Sequence, residues 1–154
     1  MKIIAVIDTN VLVSALISKH CDSATVLVLE SIFYDIITPL YNDEILNEYK
    51  SVLGRSKFDF SEERITRTIE TIKAKGIHSE SLNSGEVIPD PKDLVFYEVA
   101  LSQEDSFLVT GNIKHFPKKP FIVTPTEMVQ IINEMLFPNP GPLSEPSVGY
   151  GKYR

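Results

Sequence analysis

The sequence predicts an α/β domain built on a mostly parallel central sheet with helices on both faces. Short β-branched apolar runs alternate with longer stretches of helical periodicity. Those runs are apolar at consecutive positions, as strands buried on both faces require, rather than at every second one. Parallel neighbours need helical crossovers, and the alternating order supplies them. The 154 residues amount to about one domain, and 43% hydrophobic with 23% charged residues is the balance of a chain that folds around a core.

Residues 3–7 form the first strand, and Val11, Leu12, Ala15 and Leu16 follow at helix spacing. A second helix is expected over 22–33, capped by Asp22 or Ser23, with Ala24, Leu27, Val28 and Ser31 or Ile32 along one face. A strand at 35–38 is expected to stop at Pro39. The helix at 41–53 opens on Asn42-Asp43-Glu44, which favours the positive end of the helix dipole, and Gly54 ends it. Ser61 caps a helix over 61–75 that faces inward through Ile65, Ile69 and Ile72 and closes at Gly76. The polar stretch 77–88 reads as irregular with a short strand. Pro91 starts a helix over 91–101, since proline suits a first turn. Strands at 106–110 and 121–123 precede a last helix at 125–135, capped by Thr124 and facing inward through Met128, Ile131, Ile132 and Met135. The domain is expected over 1–136. The Pro/Gly-rich stretch 137–154 is expected to be a flexible or partner-dependent tail.

Several function classes drop out. A single cysteine, Cys21, excludes an internal disulfide framework and suits a cytoplasmic protein. No apolar run approaches the roughly 20 residues that span a bilayer, and the N-terminus has no signal-peptide pattern. Fifteen basic against 21 acidic residues give a net charge of −6, which argues against a passive, charge-driven nucleic-acid binder. It leaves open an enzyme whose acids hold metal ions.

In a parallel sheet, ligands bind beyond the carboxyl ends of the strands. Asp8 directly follows the first strand and is either a helix N-cap or a ligand projecting into that crevice. Thr9 and Asn10 offer capping in its place, and Ser14 lies one turn after Asn10. Glu44 and Glu48, four apart, share one helix face, as a solvated acidic edge or as ligands whose mutual repulsion a cation would remove. Asp90 and Asp93 flank Pro91-Lys92, where Asp90 suits a turn and Asp93 a helix start. Thr110-Gly111-Asn112 closes the third long strand, with Lys114 and His115 beyond. Each of these positions lies just past a strand or in the first turns of the next helix. Carboxylates gathered there raise one another's pKa, and hard divalent cations, Mg²⁺ or Mn²⁺, are the natural compensation.

The blocks V-I-D-T-N-V-L-V-S-A (6–15), E-Y-K-S-V-L (48–53), D-P-K-D-L-V-F-Y-E-V-A (90–100) and L-V-T-G-N-I-K-H-F (108–116) occur in this order. Together they resemble the motifs of PIN domains over about residues 1–135, closest to bacterial PIN proteins described as toxin components of toxin–antitoxin pairs. The resemblance implies a three-layer α/β/α sandwich, often homodimeric, with Mg²⁺- or Mn²⁺-dependent ribonuclease activity. The family's motif acids fall on Asp8, Glu48 and Asp93. A fourth position, commonly aspartate, falls on Asn112, where a neutral amide holds a cation less strongly, and His115 stands where some members carry another aspartate. Glu44 and Asp90 are added from the spacing alone.

The chemistry so implied is in-line displacement at an RNA phosphodiester by water. Asp8 would be the central ligand, with Glu48 and Asp93 flanking it and Asn112 holding a water of the cation. Thr9, Asn10, Ser14 and Thr110 would orient the carboxylates. Substrate phosphates would meet rim cations drawn from Lys50, Arg55, Lys57, Lys114, Lys118 and Lys119, which equally suit an ordinary solvated surface. No interleaved aromatic–basic run of the kind that stacks single-stranded bases is evident along the chain. Three other readings compete. A non-catalytic scaffold of this family would act through a protein partner such as an antitoxin. An aspartate-dependent phosphatase would use Asp8 as nucleophile, although Asn10 stands where its second aspartate belongs. A nucleotide-binding module lacks the glycine-rich loop after the first strand.

Overall fold

In the computed structural model, which describes residues 2–138, strand β1 (Ile3–Ile7) is the centre of the sheet. All its residues but Ile4 are buried, as its unbroken apolar sequence requires. Helices α1 (Thr9–Ile17) and α2 (Ala24–Phe33) lead to β2 (Ile37–Tyr41), and α3 (Asp43–Leu53) and α4 (Glu62–Lys75) lead to the two-residue β3 (Ile77–His78). Helix α5 (Leu94–Leu101), strands β4 (Phe107–Val109) and β5 (Ile122–Val123), and helix α6 (Pro125–Leu136) complete the domain. Every strand pair is parallel and the order is β3-β2-β1-β4-β5. The expected α/β sandwich with a parallel centre is the fold found.

The chain winds outward from β1 through β2 to β3, then returns to place β4 on the other flank of β1. The winding direction therefore reverses between β1 and β4, the place where such sheets open a crevice. Helix α5 packs across β1, β2 and β4, while α2 packs against α1, α4 and α6. Side-chain caps begin four helices. Ser23 accepts from the Val26 amide, Asn42 from Ile45, Ser61 from Arg64, and Thr124 forms a reciprocal capping box with Glu127.

Several boundaries differ from the sequence reading. Strand β2 runs through Pro39 instead of stopping there, and begins at Ile37 because Asp35 takes a left-handed turn at φ 62°. Parallel strands bond to one neighbour through alternate residues, so Pro39, opposite Ala5, need not donate to β1. Pairing with β3 starts only at Leu40, which leaves the missing N–H without a ladder to serve. The helix expected from Pro91 opens instead as a 3₁₀ turn, Pro91–Asp93, because the Asp90 carboxylate accepts from the Lys92 amide at 3.0 Å and tightens it. Ser106 belongs to the turn before β4, its hydroxyl donating to the carbonyls of Ala100 and Gln103. The tail expected at 137–154 lies, from residue 139, outside the described residues.

Gly76 is where α4 meets the sheet. A Cβ there would fall 2.5 Å from the carbonyl oxygens of both Ile72 and Pro39. No larger residue permits that turn from α4 into β3.

Candidate active site

Asp8 closes β1 at the reversal point. Its backbone N–H donates to the Val109 carbonyl at 2.9 Å, so the ladder with β4 extends one residue and fixes the aspartate. The side chain is buried, with 5% of its surface exposed. Although Asp8 occupies the N-cap position of α1, its carboxylate makes no capping bond. Oδ2 instead accepts from the Thr110 hydroxyl at 2.8 Å and the Asn10 side-chain amide at 3.1 Å. The other end of the Asn10 amide accepts from the Gly111 backbone at 3.0 Å. A Cβ on Gly111 would lie 3.2 Å from that oxygen, so glycine admits the close approach. The Asn112 backbone N–H donates to the Thr110 hydroxyl at 3.0 Å, completing a chain of bonds from the end of β4 to Asp8.

Thr110 and Asn10, two of the residues expected to orient the carboxylates, are thus both hydrogen-bonded to Asp8. Neither Thr9 nor Asn10 caps α1 in place of Asp8, however, and the Thr9 hydroxyl is buried with no hydrogen-bond partner among the described residues. The Ser14 hydroxyl pairs with that of Thr25 at 3.2 Å.

Burial is the main reason that the Asp8 carboxyl is pushed up to about 6. The Thr110 hydrogen bond opposes it, the Asp93 charge adds to it, and the Thr9 and Asn10 amides oppose it further. Asp93 is also raised, by desolvation first, then by the charge of Asp90, with Glu48 adding and the bonded His115 opposing. The His115 Nδ1 lies 3.3 Å from Asp93 Oδ2. Asp8, Asp93, Asp90 and Glu48 thus sit within one electrostatic neighbourhood, contributed by β1, α3 and the turn before α5.

Glu44 and Glu48 do share one face. With Pro91, Lys92 and Val95 they line a groove of about 280 Å³. Asp90 is exposed and engaged in its turn. Asn112 is exposed, anchored through its backbone, and its side chain has no hydrogen-bond partner among the described residues. Lys50, Arg55, Lys57, Lys114, Lys118 and Lys119 are all exposed, and none forms an ion pair among the described residues.

Two contributors were not anticipated as site residues. Lys92 brings a cation to the Glu44–Glu48 groove. Tyr49 is buried, and its hydroxyl donates to the Ile7 carbonyl at 2.5 Å, which ties α3 to the end of β1 beside Asp8. Burial and the Asp8 charge both raise the Tyr49 phenol, so it stays protonated and keeps that bond. In the sequence Tyr49 looks like any residue of an apolar helix face; only the packing of α3 on β1 reveals its role.

The donor set is made of carboxylate and amide oxygens, the set that suits hard divalent cations. Neither of the side-chain hydrogen bonds to Asp8, from Thr110 and Asn10, uses Oδ1. Among the described residues, no three carboxylate, histidine or cysteine side chains already stand close enough together to enclose an ion. Side-chain rotation of Glu48 and Asp93, neither of them fully buried, would have to close the set around a cation.

No helix among the described residues is long and apolar enough to cross a membrane. No curated protein matches the chain. A family model described as PIN domain matches residues 4–114, a span that runs from β1 to the 3₁₀ turn after Asn112 and includes every acid of the site. The chain belongs to the PIN-domain family, a family of nucleases that act on nucleic acids and typically use divalent metals.

Proposed function

We propose that this chain is a divalent-metal-dependent endoribonuclease, with Mg²⁺ or Mn²⁺ held by Asp8, Glu48 and Asp93 and with Asn112, Glu44 and Asp90 at the margin of the site. The observation that carries this reading is the buried Asp8 carboxyl at the sheet's reversal point, raised to about 6 by burial and by the Asp93 charge. A protein has little structural use for an ionised acid held so, and a cation turns that cost into affinity. A bound divalent ion would supply neutralisation of the phosphodiester charge and activation of water.

The chain's own residues do the rest. Thr110 and Asn10 hold Asp8 by Oδ2, which fixes the plane of its carboxylate. Tyr49 sets the distance of the Glu48 helix from Asp8. His115 orients Asp93 by bonding one of its oxygens. Lys92, which lines the Glu44–Glu48 groove, would meet a substrate phosphate there, with Lys50, Arg55, Lys57, Lys114, Lys118 and Lys119 as further candidate cations.

The fuller biological reading is a toxin of a toxin–antitoxin pair. Its nuclease domain would span 1–136, its tail 137–154 would serve a partner, its assembly would be a homodimer, and its place would be the cytoplasm with an antitoxin protein. A scaffold that acts through a protein partner is the second reading, favoured by the neutral Asn112 and by acids not yet closed into a compact trio. A phosphatase is poorly served, because the Asn10 amide is engaged at both ends, by Asp8 and Gly111.

Calorimetric titration of Mn²⁺ into the wild type and Asp8→Asn, followed by an RNA cleavage assay, tests the proposal. Binding in the micromolar-to-millimolar range that disappears in the variant, with Mn²⁺-dependent cleavage, is expected. A folded protein that binds Mn²⁺ in neither form and cleaves no RNA refutes it and favours the scaffold.

A further inference from the structure

A second, larger depression lies beside the acids. It has a volume of about 530 Å³, within the range of about 300–1,000 Å³ common for small-molecule pockets. Val13 and Ile17 of α1, Val52 of α3 and Phe58 of the following 3₁₀ turn make its apolar walls. Asn10, Ser14 and Ser18 supply polar atoms at its edge. Ile17 is 52% exposed and adds to the apolar surface of the groove.

Asn10 joins this groove to the candidate active site, since the same side chain lines the groove and donates to Asp8. Cations adjoin the lining residues along the chain: Lys19 follows Ser18, and Arg55 and Lys57 lie between Val52 and Phe58, all exposed and without an ion pair among the described residues. The Phe58 ring stacks on Phe60 at 5.6 Å, with Lys57 Nζ 5.1 Å from the Phe58 centroid and the Arg64 guanidinium 5.6 Å from that of Phe60. All four residues lie within 57–64, a short interleaved aromatic–basic run that the reading along the chain did not single out and that folding stacks into one surface.

From this geometry we infer that the groove is a subsite for one nucleobase of a single-stranded substrate, adjacent to the phosphodiester at Asp8. The inference rests on the ribonuclease reading. An apolar slot with the Phe58 ring in its wall and hydroxyl and amide groups at its edge suits a flat heterocycle, and the Lys57 ammonium over that ring suits a phosphate next to that base. A purely hydrophobic partner would not call for an ammonium over the aromatic wall in a chain whose net charge is −6.

The test uses a fluorescein-labelled 2′-O-methyl oligoadenylate hexamer in Mn²⁺, intact and with one abasic site moved along it. Binding is read by anisotropy for the wild type, Phe58→Ala and Ile17→Glu. Unmodified hexamer is assayed for cleavage alongside. Loss of one base should weaken wild-type binding by about 5- to 150-fold at one position and little elsewhere, the range of a single base-stacking contact. Both variants should bind the intact hexamer more weakly and lose that positional dependence, while Mn²⁺ affinity by calorimetry is retained. Absence of hexamer binding, indifference to the abasic position, or variants that bind like the wild type would overturn the subsite and leave the groove to a protein segment. A positional effect without cleavage of unmodified hexamer would uphold the subsite and refute the nuclease reading.

Discussion

Replacing Asp8 by asparagine should stabilise the metal-free protein at neutral pH. The Asp8 carboxyl has an ordinary value of 3.8 and reaches about 6 in the folded chain, chiefly through burial. The folded state thus holds this proton more tightly than the unfolded state. The stability linked to it is fully present below pH 3.8 and is lost as the pH rises through about 6. The interval corresponds to about 3 kcal/mol at pH 8. Asparagine cannot ionise, so it escapes that loss. Its carbonyl oxygen can occupy the Oδ2 position and accept from both Thr110 and Asn10, which leaves its amide directed away from those donors. For a domain of this size the gain corresponds to a Tm increase on the order of 6–12 °C as an upper figure. Calorimetric melting of both proteins in EDTA, from pH 4 to pH 8, measures it. The gap should be small at pH 4 and widen through pH 6, and Mn²⁺ should raise the Tm of the wild type alone. A variant less stable than wild type at pH 8, or a gap that ignores pH, would refute the reasoning and make Asp8 a structural hydrogen-bonding residue.

Tyr49→Phe should cost about 1–3 kcal/mol in urea denaturation, because it leaves the Ile7 carbonyl buried without its donor. It should also weaken Mn²⁺ binding by loosening α3, and an unchanged Mn²⁺ affinity would separate the tyrosine from the site. Gly76→Ala should cost about 1–3 kcal/mol or more, since the added methyl would meet two carbonyl oxygens at 2.5 Å; a wild-type melting temperature would show that the turn can move. Asn112→Asp should tighten Mn²⁺ binding by calorimetry and lower the metal-free Tm, as a further carboxylate joins Asp8 and Asp93. Unchanged affinity would place residue 112 outside the cation's reach.

The alternation of strands and helices, their number and the parallel sheet were all legible in the sequence, because consecutive apolar runs and N-capping residues are local signals. Boundaries that depend on a neighbour were not. Pro39 is acceptable within β2 only because β3 begins one residue later, a fact of register that no property of Pro39 announces. Asp8, Glu48 and Asp93 were legible as candidates from their places after strands and at helix starts. Whether they feel one another was not, since residues far apart in the chain meet only once α3 and α5 are packed against β1.

Composition, periodicity and the four ordered motif blocks by themselves determined the fold class and the acids to which chemistry could be assigned. The tertiary structure decided which of those acids is buried, what holds it and what surrounds it. Thr110 reaches Asp8 across 102 positions of sequence, His115 reaches Asp93 across 22, and Phe58 joins Val13 in one groove. Desolvation and charge coupling depend on such distances through space. A linear sequence specifies them only through the fold that brings the residues together.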